Sequence, residues 1–450
     1  MKGNETKKRL VKRLAALTIL LLDVGIYWHV WNGYYNRLIE FPFWRRGNWL
    51  MVALYAVLLA FFLHTYGGFR IGYLKAENLI WSQFLSLIIV NVITYVQIAL
   101  LDKRFHTPDT MLLMTAAEAF ISIVWVLLFQ SLYRRLFPPR RMLLIFSDRP
   151  AFHLMEKIHS REDKYYLAGA IHISVGVEKI MEMLKDYDAA IIGDIPAEVR
   201  NTLMKLCFDR NIRTYSVPKI SDILIKSSEE LDIFDSPLLL SRNEGLQLDQ
   251  RIAKRFMDLL FSGAGLILSS PLFFLIAVSI KLTDGGPVFY KQKRLTRNGQ
   301  EFMIYKFRTM VQNAEKMGAR LASEHDDRIL PVGKLLRRTR LDELPQLWNI
   351  WKGEMSLVGP RPERPELAAE IERELPEFRF RLKMKAGLTG YAQIYGKYNT
   401  TSYDKLKLDL HYIQNYSVLL DLKLILMTPK IMLLKESTEG VGESGRADVS

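Results

Sequence analysis

The sequence predicts a membrane protein of the membrane α plus α/β class, and three observations indicate it. Its 450 residues are 49% hydrophobic with a mean hydropathy of +0.03, which is high for a purely soluble chain. Long apolar segments fill the first part, and short apolar runs alternate with amphipathic stretches in the middle. A last apolar segment, broken by Ser269-Ser270-Pro271, opens the C-terminal part. We therefore expect four N-terminal transmembrane helices, a small Rossmann-like parallel α/β domain, and a C-terminal α+β domain with a re-entrant membrane helix hairpin.

The charge of the chain favours anionic partners other than nucleic acid. Lys+Arg 62 against Asp+Glu 48 gives a net charge of +14, which suits lipid headgroups and nucleotide substrates. The basic residues lie beside the apolar segments and around two adjacent acids, without a separate basic, aromatic-rich module. Cys207 is the single cysteine, which excludes an internal disulfide and fits a reducing cytosolic face.

Residues 1–140 form the predicted four-helix transmembrane region. Apolar segments near 14–32, 49–66, 79–101 and 111–133 each approach the roughly 20 residues needed to cross a bilayer. Twelve basic residues flank one side of these segments and five flank the other, which places the N-terminus and everything after residue 133 in the cytoplasm. Asp23, Asn91 and Glu118 lie within the segments, and we favour helix packing or assembly over a proton relay for them.

Residues 141–240 are expected to form the cytoplasmic α/β domain. Apolar runs at 142–146, 167–173, 189–194 and 214–218 predict strands, and helical spacing fills 150–159, 177–186 and 196–210. The first strand is followed by Ser147-Asp148-Arg149-Pro150, which lacks the glycines of a dinucleotide site. Assembly or regulation is therefore the favoured role. The polar residues 219–250 read as a linker or domain edge.

The next apolar segment predicts a re-entrant helix at about 253–282. Ser270 and Pro271 interrupt its middle, and an interior proline costs a helix about 3 kcal/mol unless the helix bends. Basic residues flank both ends, so a bent hairpin keeps both ends in the cytoplasm. A straight fifth span is the alternative.

The two adjacent acids, Asp342 and Glu343, follow three arginines and precede a proline that suits a helix start. Leu344, Leu347, Trp348 and Trp351 recur at helical spacing and predict one buried face. A capping box formed by Thr339 and Asp342 is the alternative. Cation-rich motifs at 306–310, 359–365 and 383–390 favour phosphate chemistry instead, with one acid as nucleophile and the other as metal ligand.

From about Arg251 to about Lys435 the chain resembles the bacterial sugar transferases, the monotopic type of polyprenyl-phosphate phosphoglycosyl transferase. The resemblance is carried by four motifs in the family's order: Lys306–Met310, Leu341–Gln346, Ser356–Pro362 and Gly387–Gln393. With the segments ahead of it, the chain is similar to the large members that initiate exopolysaccharide, capsule or O-antigen synthesis, such as undecaprenyl-phosphate galactose and glucose phosphotransferases. Residues 251–435 are then the catalytic phosphoglycosyl transferase domain, and 436–450 a disordered tail.

The resemblance implies a two-step transfer at the bacterial inner membrane. Asp342 would attack a UDP-sugar, release UMP and carry a phosphosugar to a polyprenyl phosphate acceptor, which the resemblance identifies as undecaprenyl phosphate in bacteria. Mg²⁺ is expected on Glu343, which together with Asp342 makes up the catalytic pair. The substrate-binding candidates are Lys306, Arg308, Arg340, Arg361, Arg364, Lys385 and Gln393, and a homodimer is left open.

The sequence leaves the sugar and some rivals open. It departs from the family's commonest pattern at Lys385-Ala386-Gly387 and at 395–399, where discrimination between sugars is plausible. Galactose, glucose and N-acetylated hexosamines therefore all remain candidates. The rival from another class is a non-catalytic membrane scaffold of a polysaccharide assembly complex, and a second rival is a hydrolase that splits a nucleotide-sugar with water.

Overall fold

The computed structural model describes residues 2–147, 152–233, 236–241, 245–311, 328–397 and 400–433. The chain forms two compact units, Met1–Pro218 and Lys219–Ser450. The predicted disordered tail 436–450, the turn residues 148–150 and residues 398–399 of the variant segment lie outside the described residues.

A helical bundle opens the first unit. Its helices are α1 (Lys2–Val30), which continues through a π-helical turn into α2 (Asn36–Leu38), α3 (Arg46–Tyr66), α4 (Ala76–Asp102) and α5 (Asp109–Leu136). α1 packs against α3 and α5, and α4 packs against the same two helices. By length and composition α3, α4 and α5 could each cross a membrane, and their apolar stretches are only 28–44% buried within the protein. Their outward apolar side chains are thus available to lipid.

Buried polar side chains connect three of these helices. The Tyr55 hydroxyl lies 2.8 Å from Glu118 Oε1 and 2.9 Å from Asn91 Oδ1, and Asn91 Nδ2 donates to Glu118 Oε2 at 2.7 Å. This network joins α3, α4 and α5, as expected for residues that serve helix packing. Asp23 on α1 is fully buried, and neither carboxylate oxygen has a hydrogen-bond partner among the described residues.

A four-stranded parallel sheet follows the bundle in the first unit. Its strands are β1 (Arg140–Phe146), β2 (Tyr165–His172), β3 (Ala189–Ile192) and β4 (Arg213–Ser216), in the order β2-β1-β3-β4. The helices are α6 (Phe152–His159), α7 (Val177–Met183) and α8 (Ala197–Asp209). β1 is apolar throughout its middle because both faces are covered: Leu143 and Ile145 enter one core, Met142 and Leu144 the other. The predicted parallel α/β domain is confirmed.

The polar segment after this sheet has its own secondary structure, so of the two interpretations of residues 219–250 the linker is wrong, whereas a domain edge agrees with a second unit that starts at Lys219. The first unit ends at Pro218 rather than at the predicted boundary of 240. α9 (Ile220–Lys226) and the antiparallel pair β5 (Glu229–Ile233) and β6 (Ser236–Leu240) belong to the second unit. Ile223 anchors α9 in the core of that unit, which hydropathy averaged over a polar window does not reveal.

The second unit is an α+β domain built on the long helix α10 (Leu248–Asp284). Its further strands are β7 (Phe289–Leu295) and β8 (Glu301–Phe307), which are antiparallel, and β9 (Ser356–Val358) and β10 (Gly387–Thr389), which are parallel. Its further helices are α11 (Pro331–Thr339), α12 (Gln346–Lys352), α13 (Pro365–Glu374), α14 (Tyr391–Tyr395), α15 (Ser402–Gln414) and α16 (Val418–Leu433). Leu406, Tyr412 and Leu424 are at most 1% exposed, so α15 and α16 contribute to the core.

α10 contains Pro271 and compensates locally for it. Proline has no N–H for the carbonyl four residues earlier, which belongs to Ile267. The Ser270 hydroxyl donates to that carbonyl at 2.8 Å, and Ser269 Oγ donates to the Gly265 carbonyl. Leu268 and Phe274, on either side of Pro271, are 81% and 69% exposed. The proline segment therefore keeps its polar groups satisfied while presenting an apolar surface.

Both halves of α10 pack on the same unit. In the first half, a Cβ at Gly263 would lie 2.7 Å from the Trp351 ring, so the close approach to α12 requires glycine there. In the second half, Ile276 and Ile280 pack with Phe307 of β8 and Leu336 of α11. The two halves thus pack on different elements of the same unit, the first on α12 and the second on β8 and α11.

A buried ion pair fixes the start of α10. Lys254 Nζ lies 2.6 Å from Asp421 Oδ2 and 3.0 Å from the Tyr412 hydroxyl, which donates to Asp421 Oδ1 at 2.6 Å. The side chains of Lys254 and Asp421 are only 7% and 3% exposed. Tyr412 and Asp421 thereby connect α15 and α16 to α10.

We expect Asp421→Ala to lower the free energy of unfolding by about 3–5 kcal/mol, because it leaves the Lys254 ammonium buried and unpaired. The double variant Lys254→Met, Asp421→Leu should recover most of that loss. Thermal unfolding of the purified protein in detergent measures both. A single variant as stable as wild type would show that the pair does not stabilise the fold.

Candidate active site

The two adjacent acids lie on a single 3₁₀ turn, Leu341–Glu343, between α11 and α12. The turn begins because Arg340 adopts a left-handed backbone, with φ of 54°, which ends α11. Neither Thr339 nor Asp342 makes a side-chain cap: the Thr339 hydroxyl donates back to the Leu335 carbonyl within α11. The capping-box alternative is therefore wrong, and both carboxylates are free for other contacts.

Lys306 approaches the acids from β8. Its Nζ lies 2.7 Å from Glu343 Oε1 and 3.9 Å from Asp342 Oδ2. Asn349, fully buried on α12, accepts from the Tyr305 N–H at 3.0 Å and donates to the Met303 carbonyl at 2.8 Å. Because this amide ties α12 to β8 on either side of Ile304, it sets the distance between Lys306 and the carboxylates.

Arg361 reaches the acids from the loop after β9, and its Nη2 lies 3.0 Å from Glu343 Oε1. The loop is tied to β10: the Gly359 N–H donates to the Thr389 carbonyl at 2.9 Å. A Cβ at Gly359 would lie 2.3 Å from the Lys385 carbonyl, so only glycine fits. The buried Arg381 donates to the Arg361 carbonyl at 3.0 Å and is itself paired with Asp409. Arg361 is thus presented by a rigid backbone.

The two acids differ in their surroundings. Burial raises the pKa of Asp342, although Lys306 opposes the shift. Burial also works against ionisation of Glu343, but Arg361 and Lys306 outweigh it and hold the pKa of Glu343 well below its usual range. Lys306 lies 3.9 Å from Asp342, beyond hydrogen-bond distance, whereas Glu343 Oε1 accepts hydrogen bonds from both Lys306 and Arg361. These contacts engage Glu343 more closely than Asp342.

The predicted buried face of α12 was wrong in part. Leu347 and Ile350 are 7% and 0% exposed and face the core and α10, whereas Trp348 and Trp351 are 47% and 43% exposed. The buried side includes polar residues, Gln346 and Asn349, which an apolar periodicity does not count. Half-exposed tryptophans beside the apolar α10 are typical of a membrane interface.

Of the predicted substrate residues, Lys306 and Arg361 contact the acids directly. The charge of Arg340 also acts on both acids. Arg308 is turned away, with a bidentate ion pair to Asp284 at the end of α10 and a hydrogen bond to the Pro287 carbonyl. Arg364 is exposed at the start of α13, where it acts electrostatically on Arg294.

Lys385 and Gln393 lie among other groups. Lys385 donates to the Gly353 carbonyl at 2.6 Å and lines a cavity of about 570 Å³ with Lys254, Arg255 and Arg297. Gln393 donates to the Leu388 carbonyl, and its Oε1 is buried without a partner among the described residues. These residues are therefore not part of the cluster around Asp342.

Three positioning residues were not predicted from the sequence: Asn349, Arg381 and Arg337. Arg337 Nε donates to Thr309 Oγ1 at 2.9 Å, and its charge also favours the ionised form of Asp342. For Asn349 a signal existed, because an amide within an otherwise apolar helical pattern must be buried with partners. The distant pairing of Arg381 with Asp409 left no comparable trace.

The donor set suits one hard divalent cation. Among the described residues no group of three or more His, Cys, Asp or Glu side chains could hold a metal ion. Two neighbouring carboxylates with phosphate oxygens and water are nevertheless the ligands that Mg²⁺ commonly takes. Asp342 and Glu343 therefore fit Mg²⁺ that arrives with a phosphate substrate, rather than a fully protein-ligated metal site.

The opposite electrostatics of the two acids predict opposite effects on stability. The folded-state pKa of Asp342 is raised, so its ionisation reduces stability as pH rises above the unfolded value of about 3.9. Asp342→Asn should therefore melt at a higher temperature than wild type at pH 8, with the difference shrinking towards pH 4.5. Glu343 has a lowered pKa, so its charge stabilises the protein above the unfolded value of about 4.3, and Glu343→Gln should melt lower at pH 8.

Thermal unfolding between pH 4.5 and 8 tests this pair of variants. A shift of the same sign in both would contradict the assignment of different environments to Asp342 and Glu343.

Comparison with known proteins matches the C-terminal part of the chain, which contains this site. The model of the family described as "Bacterial sugar transferase" matches residues 249–435. The exopolysaccharide production protein ExoY of Sinorhizobium fredii is 39% identical over 204 residues, which are 41% of this chain and 88% of that protein.

Two larger relatives match in part. The UDP-N-acetylgalactosamine-undecaprenyl-phosphate N-acetylgalactosaminephosphotransferase of Aeromonas hydrophila is 41% identical over 40% of this chain and 43% of its own length. The UDP-glucose:undecaprenyl-phosphate glucose-1-phosphate transferase of Klebsiella pneumoniae is 32% identical over 56% of this chain and 54% of its own length. The chain thus spans about half the length of these relatives. With its family motifs, its fitting carboxylate site and its coverage of ExoY, the chain belongs to the bacterial sugar transferase family.

Proposed function

We propose that the protein transfers a sugar 1-phosphate from a UDP-sugar to undecaprenyl phosphate, or a similar polyprenyl phosphate, as the first step of a lipid-linked polysaccharide pathway. The observation that carries this proposal is the contrast between the two acids. Asp342 is buried and lies 3.9 Å from Lys306, whereas Glu343 contacts both Lys306 and Arg361 directly. The names of the relatives from Aeromonas and Klebsiella support the substrate class. The sugar itself stays open.

In the first half-reaction, an Asp342 oxygen attacks the phosphorus that bears the sugar. The bond between that phosphorus and the bridging oxygen breaks, and UMP leaves with the bonding electrons. The product is a mixed anhydride between Asp342 and the sugar phosphate, which divides one difficult displacement into two. Lys306 lies 3.9 Å from the attacking carboxylate and Arg361 contacts the neighbouring Glu343, so their charges reduce repulsion between Asp342 and the diphosphate.

In the second half-reaction, a phosphate oxygen of the lipid attacks the same phosphorus. The bond from phosphorus to the Asp342 oxygen breaks, and the carboxylate is regenerated as a polyprenyl diphosphate sugar forms. No proton has to be moved, because nucleophile and leaving group are both anions at neutral pH. The residues need only hold two anionic partners close together.

We propose Mg²⁺ as the cofactor, held by Glu343 with Asp342 nearby. When bound, it would neutralise charge on the diphosphate and on the departing UMP. Because Glu343 Oε1 already accepts hydrogen bonds from Lys306 and Arg361, we assign Glu343 Oε2 as the ligand atom.

We further propose that α10 is a re-entrant hairpin and that the protein is a multi-pass protein of the bacterial inner membrane, with its N-terminus, its α/β domain and its catalytic domain in the cytoplasm. Packing supports this, because the halves on either side of Pro271 both contact the catalytic unit. A straight 37-residue helix would be about 55 Å long and would carry its two ends to opposite sides of a bilayer core of about 30 Å. The exposed apolar side chains around Pro271 would then lie among lipid chains.

The covalent step predicts a different outcome for each acid. Purified protein incubated with a panel of UDP-sugars and Mg²⁺, without lipid acceptor, should release UMP and gain the mass of one phosphosugar. Asp342→Asn should lose the adduct and at least about 10³-fold of the turnover, because the amide is no nucleophile. Glu343→Gln should retain a trace of adduct that increases at high Mg²⁺ concentration.

Mass spectrometry and UMP detection follow both steps. An adduct that forms equally well on Asp342→Asn would exclude the aspartyl intermediate. Continuous UMP release without acceptor would favour a hydrolase, and no UMP with any sugar would favour a membrane scaffold.

The hairpin predicts one-sided labelling. With Cys207 replaced by serine, single cysteines at Ser241 and Gln300, which bracket α10, should react with a membrane-impermeant maleimide only after the cytoplasmic face is exposed. Intact and inverted vesicles provide the two faces. Labelling of Gln300→Cys from the outside would mean that α10 crosses the membrane.

A further inference from the structure

A basic cleft lies in the first unit, where the helical bundle meets the parallel sheet. Its volume is about 290 Å³, at the lower end of the range for small-molecule sites. α1, the connection between α3 and α4, the end of α5, and strands β1, β2 and β4 all contribute to it. Its charged lining consists of Glu5, Lys8, Lys12, Arg134, Arg140, Asp163, Lys164 and Arg213.

The two acids of the cleft are already occupied by arginines. Glu5 pairs with Arg140 and Arg213, and Asp163 accepts two hydrogen bonds from Arg161. Among the described residues, no carboxylate lies within ion-pair distance of Lys8, Lys12, Arg134 or Lys164. These four cations therefore lack a contact ion pair with a protein carboxylate, although Glu5 acts at longer range on Lys8 and Lys12, and Asp163 on Arg134.

Two of these cations share one aromatic ring. Lys12 Nζ lies 3.7 Å from the centroid of the Tyr73 ring, and Lys164 Nζ lies 4.7 Å from it. Lys12 also lies 5.3 Å from the Tyr133 ring, and Lys164 lies 4.8 Å from the Tyr165 ring. Cation–π contacts hold the two ammonium groups in place but leave their charge intact.

Holding these like charges together is unfavourable without an anion. Lys12 precedes the apolar segment of α1, and burial, followed by the charge of Lys164, lowers its pKa. Lys12 and Lys164 come from parts of the chain about 150 residues apart, so the fold, not local sequence, brings them together. Such a cost is typical of a site that is completed by a ligand.

We propose that the basic cleft binds a phosphate-bearing anion, with Lys12 and Lys164 as its principal ligands and Lys8 beside them. Phosphate oxygens accept charge-assisted hydrogen bonds from ammonium groups and from tyrosine hydroxyls, and the cleft offers both. Its volume suits a diphosphate, a small nucleotide or a phospholipid headgroup. The bound anion would link α1 to β2 and so connect the membrane bundle with the α/β domain.

The test uses the full-length protein in phosphatidylcholine nanodiscs without divalent metal. The double variant Lys12→Gln, Lys164→Gln is compared with Lys7→Gln, Lys179→Gln, which removes the same charge from exposed positions on α1 and α7. Titration calorimetry with inorganic pyrophosphate is the soluble arm. In the lipid arm, native mass spectrometry counts the phosphatidylglycerol molecules retained after reconstitution with that lipid.

We expect the dissociation constant for pyrophosphate to rise at least about tenfold, or one phosphatidylglycerol to be lost, in the cleft variant alone. The first result identifies a soluble phosphate ligand and the second a lipid headgroup. Lys12→Arg should retain binding, and the ligand-free cleft variant should melt no lower than wild type because repulsion is relieved. Equal binding of both probes by wild type, the control and the cleft variant would overturn the proposal, whatever the transferase activity.

Discussion

The active-site arrangement depends on one electrostatic constraint: two carboxylates on the same short turn must both be ionised while largely buried. Glu343 meets it through direct contacts with Lys306 and Arg361. Asp342 receives the more distant fields of Lys306 and Arg337. This difference in cation contacts underlies the separate roles that we propose for the two acids, because a carboxylate already engaged by cations is a poorer nucleophile than one that is less engaged.

This difference between the two acids requires three chain segments to keep their spacing: the acid turn with α12, strand β8 with Lys306, and the loop that carries Arg361. Asn349 ties the turn's helix to the strand of Lys306, and Arg381 holds the carbonyl of Arg361. Gly359 permits the close backbone contact on which the Arg361 loop rests. These groups touch neither acid, yet each determines a distance to it. Buried and fully hydrogen-bonded polar groups of this kind are less mobile than exposed loops, so the cations stay in place when substrates exchange.

The same domain has to place this chemistry beside lipid. α10 contains a proline whose missing N–H is replaced by the Ser270 hydroxyl, so the Ile267 carbonyl keeps a hydrogen-bond partner beside the apolar surface. Glycines at 263 and 265 bring the helix onto α12, whose tryptophans stay half exposed. α12, which directly follows the turn that carries the two acids, therefore packs directly on the apolar helix α10.

The sequence alone determined most element types of the first unit and the acid pair. Apolar runs located the bundle helices and the four strands of the parallel sheet in that unit, because burial on one or both faces leaves a regular pattern. Adjacent Asp342 and Glu343 among basic motifs indicated phosphate chemistry. Local pattern could not determine which cations reach the acids, since Arg308 and Lys385 belong to motifs as basic as that of Arg361 but point elsewhere. Local pattern also could not reveal helix α9 and the antiparallel strands β5 and β6 after Pro218, or that Lys12 and Lys164 lie over the same Tyr73 ring. Those are contacts between distant segments, and only tertiary packing decides them.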